Sequence, residues 1–171
     1  MGSLRFYFSL LAAKTAYRAL QLTRLSAGTS IIGRYVLKLC PDFLKQCNPY
    51  ISTKINVTGT NGKTTTSGLI THLIKESGKS VINNAMGANM LTGVVNAVAV
   101  SLNPCEQTDF SVIESDEAYL AKIYDQFDAD YLIVTNLFRD QLDRYGELAT
   151  TKRLIQEGIN KKRGLKLLLN A

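Results

Sequence analysis

The sequence predicts an α/β fold: a mainly parallel sheet with helices on both faces, a phosphate-binding loop (P-loop) after the first core strand, and a helical segment ahead of it. Two observations carry this. Beyond residue 53, short β-rich runs alternate with stretches of helical period, and one Gly-rich loop stands between a strand and a helix. Composition agrees. In 171 residues, 46% are hydrophobic and 20% charged, enough apolar content for one self-sufficient core, while 12 Gly and 3 Pro exclude collagen-like and low-complexity classes.

The chain divides by charge into a basic helical segment, 1–47, and the α/β part, 48–171. Residues 1–47 carry seven basic side chains against one acid, Asp42, a net of +6; residues 48–171 carry 13 of each sign. Such asymmetry suits an anionic partner: membrane lipid, phosphorylated substrate or nucleic acid. No aromatic-interleaved basic stripe supports nucleic acid. The apolar run Phe6–Ala13 ends at Lys14, with Arg18 and Arg24 soon after. It is too short for the ~20 residues of a bilayer span and lacks a cleavage region. An amphipathic helix with basic residues on its wet side fits it, either docked on its own domain, the favoured reading, or attached to the surface of anionic lipid.

The remaining elements follow in order. Lys54–Thr58 reads as a strand, and Thr64–Lys75 as a helix with Leu69, Ile70, Leu73 and Ile74 on its apolar side, stopped at Ser77-Gly78. Val81-Ile82 is a brief strand. Leu91, Val94, Val95, Val98 and Leu102 form a helical stripe. Phe110–Glu114 is a strand; Leu120, Ile123, Tyr124 and Phe127 mark a helix. Tyr131–Thr135 is a continuous apolar strand of the kind buried on both faces. Leu148–Asn160 and Leu165–Leu169 are the last helix and strand. No charge occurs between Lys79 and Glu106, but five Asn and two Gly interrupt this stretch, so it reads as core plus loop. Cys40, Cys47 and Cys105, an odd set without C-x-x-C, read as free buried thiols of a reducing cytoplasm.

Ligands of such sheets bind beyond the carboxyl ends of the strands, so the loops after Thr58, Ile82, Ile113 and Thr135 should converge. The first, Gly59-Thr60-Asn61-Gly62-Lys63-Thr64-Thr65, has the context of a phosphate cradle. Gly59 and Gly62 let the backbone approach phosphates, the helix N-terminus adds a favourable dipole, Lys63 supplies charge, and the Thr64 hydroxyl suits magnesium. It is a compact variant, with two residues rather than four between the first Gly and Gly-Lys. Glu114, at a strand end facing this loop, is a natural second metal ligand, while Ser115 or Asp116 caps the next helix. The sole histidine, His72, has no partner at metal-ligand spacing and reads as a surface or packing residue.

Together these loops resemble the ATP-binding central domain of the Mur ligase superfamily. The resemblance rests on Thr58–Thr65, the Gly-x-Asn loop Gly87–Asn89, Glu114, and the Asp-x-x-Asp-Arg-Tyr-Gly run Asp140–Gly146. The strings Asn136–Glu147 and Met86–Met90 are most similar to the MurT branch, the ligase subunits of lipid II isoglutaminyl synthase. The resemblance implies an ATP-dependent ligase that activates the α-carboxylate of D-glutamate in the lipid II stem peptide as an acyl phosphate, for amidation by ammonia to D-isoglutamine. Lys63, Glu114 and Asn89 would be catalytic, and Gly59–Thr65 would bind ATP. Thr64 and Glu114 would hold Mg2+, with Gln141 a weaker contact because muropeptide-adding relatives carry histidine there. A GatD-like glutaminase subunit would be the partner and lipid II the membrane-borne substrate, and the enzyme would be cytoplasmic, with peripheral attachment at the inner face of the cell membrane as a further option. Such proteins continue past this segment with the rest of the central domain, a zinc-binding insertion and a C-terminal domain. The present chain is therefore expected to be an incomplete central domain, inactive alone.

Two rival readings remain: another amide ligase of the superfamily (muropeptide or folylpolyglutamate), and a non-catalytic nucleotide-binding stub. A dinucleotide-dependent dehydrogenase is disfavoured, since no Gly-x-Gly-x-x-Gly follows the first strand.

Overall fold

A computed structural model describes residues 2–22, 29–84, 88–137 and 146–170. Helices α1 (Leu4–Leu22), α2 (Thr29–Leu39) and α3 (Phe43–Cys47) and a short 3₁₀ turn lead into β1 (Ile51–Thr58). There follow α4 (Lys63–Glu76), β2 (Val81–Asn83), α5 (Leu91–Ser101), β3 (Thr108–Glu114) and α6 (Glu117–Tyr124). The described chain ends with β4 (Tyr131–Val134), α7 (Gly146–Asn160) and β5 (Lys166–Leu169). The five strands form one parallel sheet in the order β2-β3-β1-β4-β5.

Right-handed crossovers then fix the layers. The β1-to-β2 connection runs towards one edge, whereas the β2-to-β3, β3-to-β4 and β4-to-β5 connections run the other way. Helix α4 therefore lies on one face, packed on β1, β2 and β3, and α5, α6 and α7 pack against one another on the opposite face. Helices α1 and α2 add a further layer on α5. The close approach of α2 and α5 requires Gly33, where a Cβ would stand 1.8 Å from the Thr92 carbonyl oxygen. One core unites the layers, from Phe6, Leu10, Ile32 and Phe43 to Val94, Val98, Ile113, Leu120 and Leu132.

Three expectations need correction. Helix α4 turns inward the face of Ser67 and Thr71, with Ile70 and Ile74 half-buried beside them, and leaves Leu69 and Leu73 of its expected apolar side exposed. The cause lies in its first turn. Thr64 is bound to Glu114 of β3, and Ser67 and Thr71, three and seven positions on, share its face. Strand β4 is not buried on both faces: Leu132 and Val134 are core residues, but Tyr131 is exposed and Ile133 half-buried. These two alternate to the face where α4 covers only β1, β2 and β3. Of the thiols, Cys40 and Cys47 are buried, but Cys105 lies in the turn after α5 and is exposed. Elsewhere element bounds move by a few residues, and β5 is exposed throughout.

Candidate phosphate-binding site

The site is built beside β1, where the direction of the strand-to-strand connections reverses, the usual crevice of such sheets. Gly59 follows β1 with φ +124°, and a Cβ there would stand 2.4 Å from Thr135 Oγ1 and 2.8 Å from the Asn136 carbonyl oxygen. Only glycine lets the loop press this closely on the end of β4. That end clamps the loop in return. Asn136 accepts the Thr60 N–H on its carbonyl (2.9 Å) and the Asn61 N–H on its side-chain oxygen (3.0 Å). The Thr135 hydroxyl donates to the Asn61 carbonyl at 2.7 Å. Gly62, at φ +81°, starts α4 without any side-chain cap, and the first helical hydrogen bond runs from Thr66 N–H to Gly62 O. The amides of Lys63, Thr64 and Thr65 therefore point out of the helix end, a ready anion cradle.

Three side chains face this cradle. Lys63 folds back over the loop, donating to the Gly59 carbonyl (2.5 Å), and its Nζ lies 3.5 Å from Glu117 Oε1 in an ion pair whose members are 13% and 14% exposed. The Thr64 hydroxyl donates to Glu114 Oε2 at 2.8 Å. Glu114, only 3% exposed, is fixed by Asn84 at the end of β2. The Asn84 side chain accepts the Glu114 N–H (2.7 Å) and donates to the Glu114 carbonyl (2.7 Å) and the Ala88 carbonyl (2.8 Å). Beyond Glu114, Ser115 is buried and ties β3 to β1 through Asn56 and Val57. Asp116 caps α6 by accepting the Ala118 N–H, and its own N–H donates to the Asn89 carbonyl.

The loops after β1, β2, β3 and β4 thus converge. Gly59 through Thr65 and Glu114 come together as a set, with Thr60 and Asn61 held by Asn136 and Thr65 exposed at the helix start. Asn89 borders the set through its backbone. Gln141, with Asp140, Asp143 and Arg144, lies outside the described residues, as do Met86 and Gly87. Sequence reasoning singled out neither Asn84, Glu117, Thr135 nor Asn136 for the site. Asn84 carried a faint signal as an asparagine closing a strand in a charge-free stretch; a clamp through Asn136 depends on a contact 75 residues apart and left none.

The spacing of Thr64 and Glu114 fits a divalent cation. Adjacent ligands of an octahedral Mg2+ at about 2.0–2.1 Å lie roughly 2.9 Å apart. Thr64 Oγ1 and Glu114 Oε2, hard oxygens 2.8 Å apart, match that spacing. Mg2+ at such a site takes one or two protein ligands and completes its shell with phosphates and water. Beside the cradle, a groove of about 390 Å3 runs between the loop and the ends of β4 and β5, lined among others by Asn61, Gly62, Thr66, Asn136 and Leu168.

Residues 57–171 match the family model of the Mur ligase middle domain. The chain belongs to the Mur ligase family. It is 38% identical over 144 residues to the lipid II isoglutaminyl synthase (glutamine-hydrolyzing) subunit MurT of Staphylococcus aureus (strain COL), spanning 84% of this chain and 32% of that protein. It is 34% identical over 168 residues to the MurT subunit of Streptococcus pneumoniae (strain R6), spanning 98% and 37%. The chain thus spans about a third of the length of these curated relatives. Among solved structures, MurF from Acinetobacter baumannii superposes with a TM-score of 0.64 at 14% identity, over 80% of this chain and 34% of that one. MurF from Thermotoga maritima in complex with ADP gives 0.58 at 17%, over 82% and 35%. The shared architecture is that of a Mur ligase: a parallel sheet with its loop and helices, here preceded by α1, α2 and α3.

Proposed function

We propose that this chain is the phosphate-binding part of an ATP-dependent amide ligase of peptidoglycan synthesis. It would activate the α-carboxylate of D-glutamate in the lipid II stem peptide for amidation by ammonia. The observation that carries the reading is the Thr64–Glu114 pair, set 2.8 Å apart beside the uncapped start of α4 with Lys63 above the loop. Similarity to the MurT subunits supports this choice of substrate. The carboxylate oxygen attacks the terminal phosphorus of ATP and ADP leaves; ammonia then attacks the acyl carbon and phosphate leaves, giving D-isoglutamine.

Both reactants of the first step are anionic, and the residues answer that repulsion. The amides of Lys63, Thr64 and Thr65 receive phosphate oxygens, and Lys63 leaves Gly59 and Glu117 to neutralise the charge that develops in transfer. Glu114 and Thr64 would hold Mg2+, which supplies Lewis-acid stabilisation when bound. Asn89, whose carbonyl accepts the Asp116 N–H, would border the acceptor side. Ammonia would come from a GatD-like glutaminase subunit, and lipid II would be met at the membrane surface. The test is Lys63→Ala in the full-length ligase with its glutaminase. ATP turnover should fall roughly 10²–10³-fold, and near-wild-type turnover overturns the assignment.

Matches to UDP-N-acetylmuramoylalanine–D-glutamate ligases, at 38% identity over 53% of this chain, favour a second reading as a ligase that adds an amino acid. Product formation with D-glutamate in place of ammonia would select it.

A further inference from the structure

Helix α1 is apolar on two sides. Its inner stripe, Phe6, Leu10 and Ala13, is buried, with the Phe6 ring between Phe43 and Tyr50 at centroid distances of 5.4 and 5.8 Å. Its outer stripe, Leu4, Phe8 and Leu11, repeats the same i, i+4, i+7 spacing and is 88%, 59% and 67% exposed. Helix α2 is built alike, with Ile32 and Val36 inside and Ile31, Tyr35 and Leu39 exposed. Packing explains the inner stripes; among the described residues nothing covers the outer ones. They border an open groove of about 760 Å3 lined by Leu4, Tyr7, Phe8, Leu11 and Leu39, with Arg5 and Lys38 at its walls. Contiguous exposed apolar surface of this kind marks a contact site. The same segment carries the whole net charge of +6 and a single acid, Asp42.

We propose that the outer α1–α2 face docks on an anionic lipid bilayer. Leu4, Phe8 and Leu11 enter the boundary between headgroups and acyl chains, while Arg5 and Lys38 meet lipid phosphates. Charge decides the occupant: cations of one sign around an apolar groove complement a negatively charged interface, and Tyr7 and Tyr35 suit its polar–apolar boundary. The face lies on the surface rather than across it, since no described helix is long and apolar enough to span a bilayer. The inference goes beyond the ligase reading and does not depend on it, because lipid binding is read without nucleotide or substrate.

The chain has no tryptophan, so Phe8→Trp makes a fluorophore that reports this face alone. With vesicles of 30% phosphatidylglycerol in phosphatidylcholine, its emission should shift to the blue. Binding should weaken about tenfold or more in pure phosphatidylcholine or in 0.5 M NaCl, and again when Leu11→Ser is added. Leu69→Trp on α4, whose site is exposed on the other side of the sheet, should show no shift. Flotation of the unaltered chain with the same vesicles keeps the test independent of how the variants fold. The proposal falls if the anionic vesicles neither shift nor float the protein, if Leu69→Trp responds equally, or if neither lipid charge nor salt matters. A blue shift without vesicles that grows with protein concentration also overturns it, assigning the face to a second copy of the chain.

Discussion

Asn84→Ala removes a side chain that touches no nucleotide yet should damage both fold and site. The Asn84 side chain makes hydrogen bonds of 2.7, 2.7 and 2.8 Å to the backbone of Glu114 and Ala88, and both Asn84 and Glu114 are buried. Alanine leaves the Glu114 N–H and C=O without these partners where water does not reach. Each orphaned group costs about 1–3 kcal/mol, so the substitution should destabilise the chain by about 3 kcal/mol. For a domain of this size that lowers Tm by roughly 6–12 °C. Asn84→Asp should do no better, because a carboxylate oxygen would then face the carbonyls of Glu114 and Ala88. Thermal unfolding followed by circular dichroism measures the first effect. Titration with Mg2+-ADP measures the second: affinity should drop as Glu114 loses its fixed distance from Thr64. A Tm within 2 °C of wild type together with unchanged affinity would refute the claim that Asn84 holds the carboxylate in place.

Other perturbations separate the remaining parts. Gly59→Ala places a Cβ 2.4 Å from Thr135 Oγ1 at φ +124°; it should cost about 1–3 kcal/mol and abolish ADP binding by calorimetry, whereas retained binding would show that the loop does not need its contact with β4. Glu117→Gln releases Lys63 from its ion pair, and should tighten metal-free ADP binding about threefold, in line with a partly exposed pair worth ~0.6 kcal/mol; weaker binding would make Glu117 a helper of the nucleotide instead of its competitor. Thiol labelling at pH 8 should modify the exposed Cys105 promptly and Cys40 and Cys47 slowly, as mass spectrometry of the labelled peptides would show. Burial, with the Asp42 carboxylate beside it, raises the Cys40 thiol to about 11, and burial pushes Cys47 higher still.

What the sequence revealed and what it hid separate on physical grounds. Gly59, Gly62, Lys63 and Thr64 were legible because their chemistry is local: a strand, a tight glycine turn and a helix start lie within nine residues, and Glu114 sits at a strand end that topology must bring alongside. The clamp from Thr135 and Asn136, the brace from Asn84 and the Glu117 ion pair involve partners 30 to 75 positions apart or on separate elements, and no periodicity encodes such a meeting. Apolar periodicity also states that a stripe exists without saying what covers it. Leu4, Phe8 and Leu11 repeat the spacing of Phe6, Leu10 and Ala13, and packing alone chose which stripe went inside.

Helix α4 shows why the rule fails where it does. A helix joined by ordinary turns rotates until its apolar side meets the sheet, because burying a leucine is worth about 1.5–3 kcal/mol. Helix α4 lacks that freedom. Gly59 is wedged against β4, Gly62 sets the helix start, and Thr64 is bonded to Glu114, so its rotation is fixed within the first turn. Ser67 and Thr71 are then carried onto the sheet, and Leu69 and Leu73 are left in water. Ile70 and Ile74 stay half-buried beside Ser67 and Thr71, so the first turn shifts the apolar side of α4 without turning it away from the sheet. The orientation of α4 is thus set by the loop at its start and not by its apolar side alone.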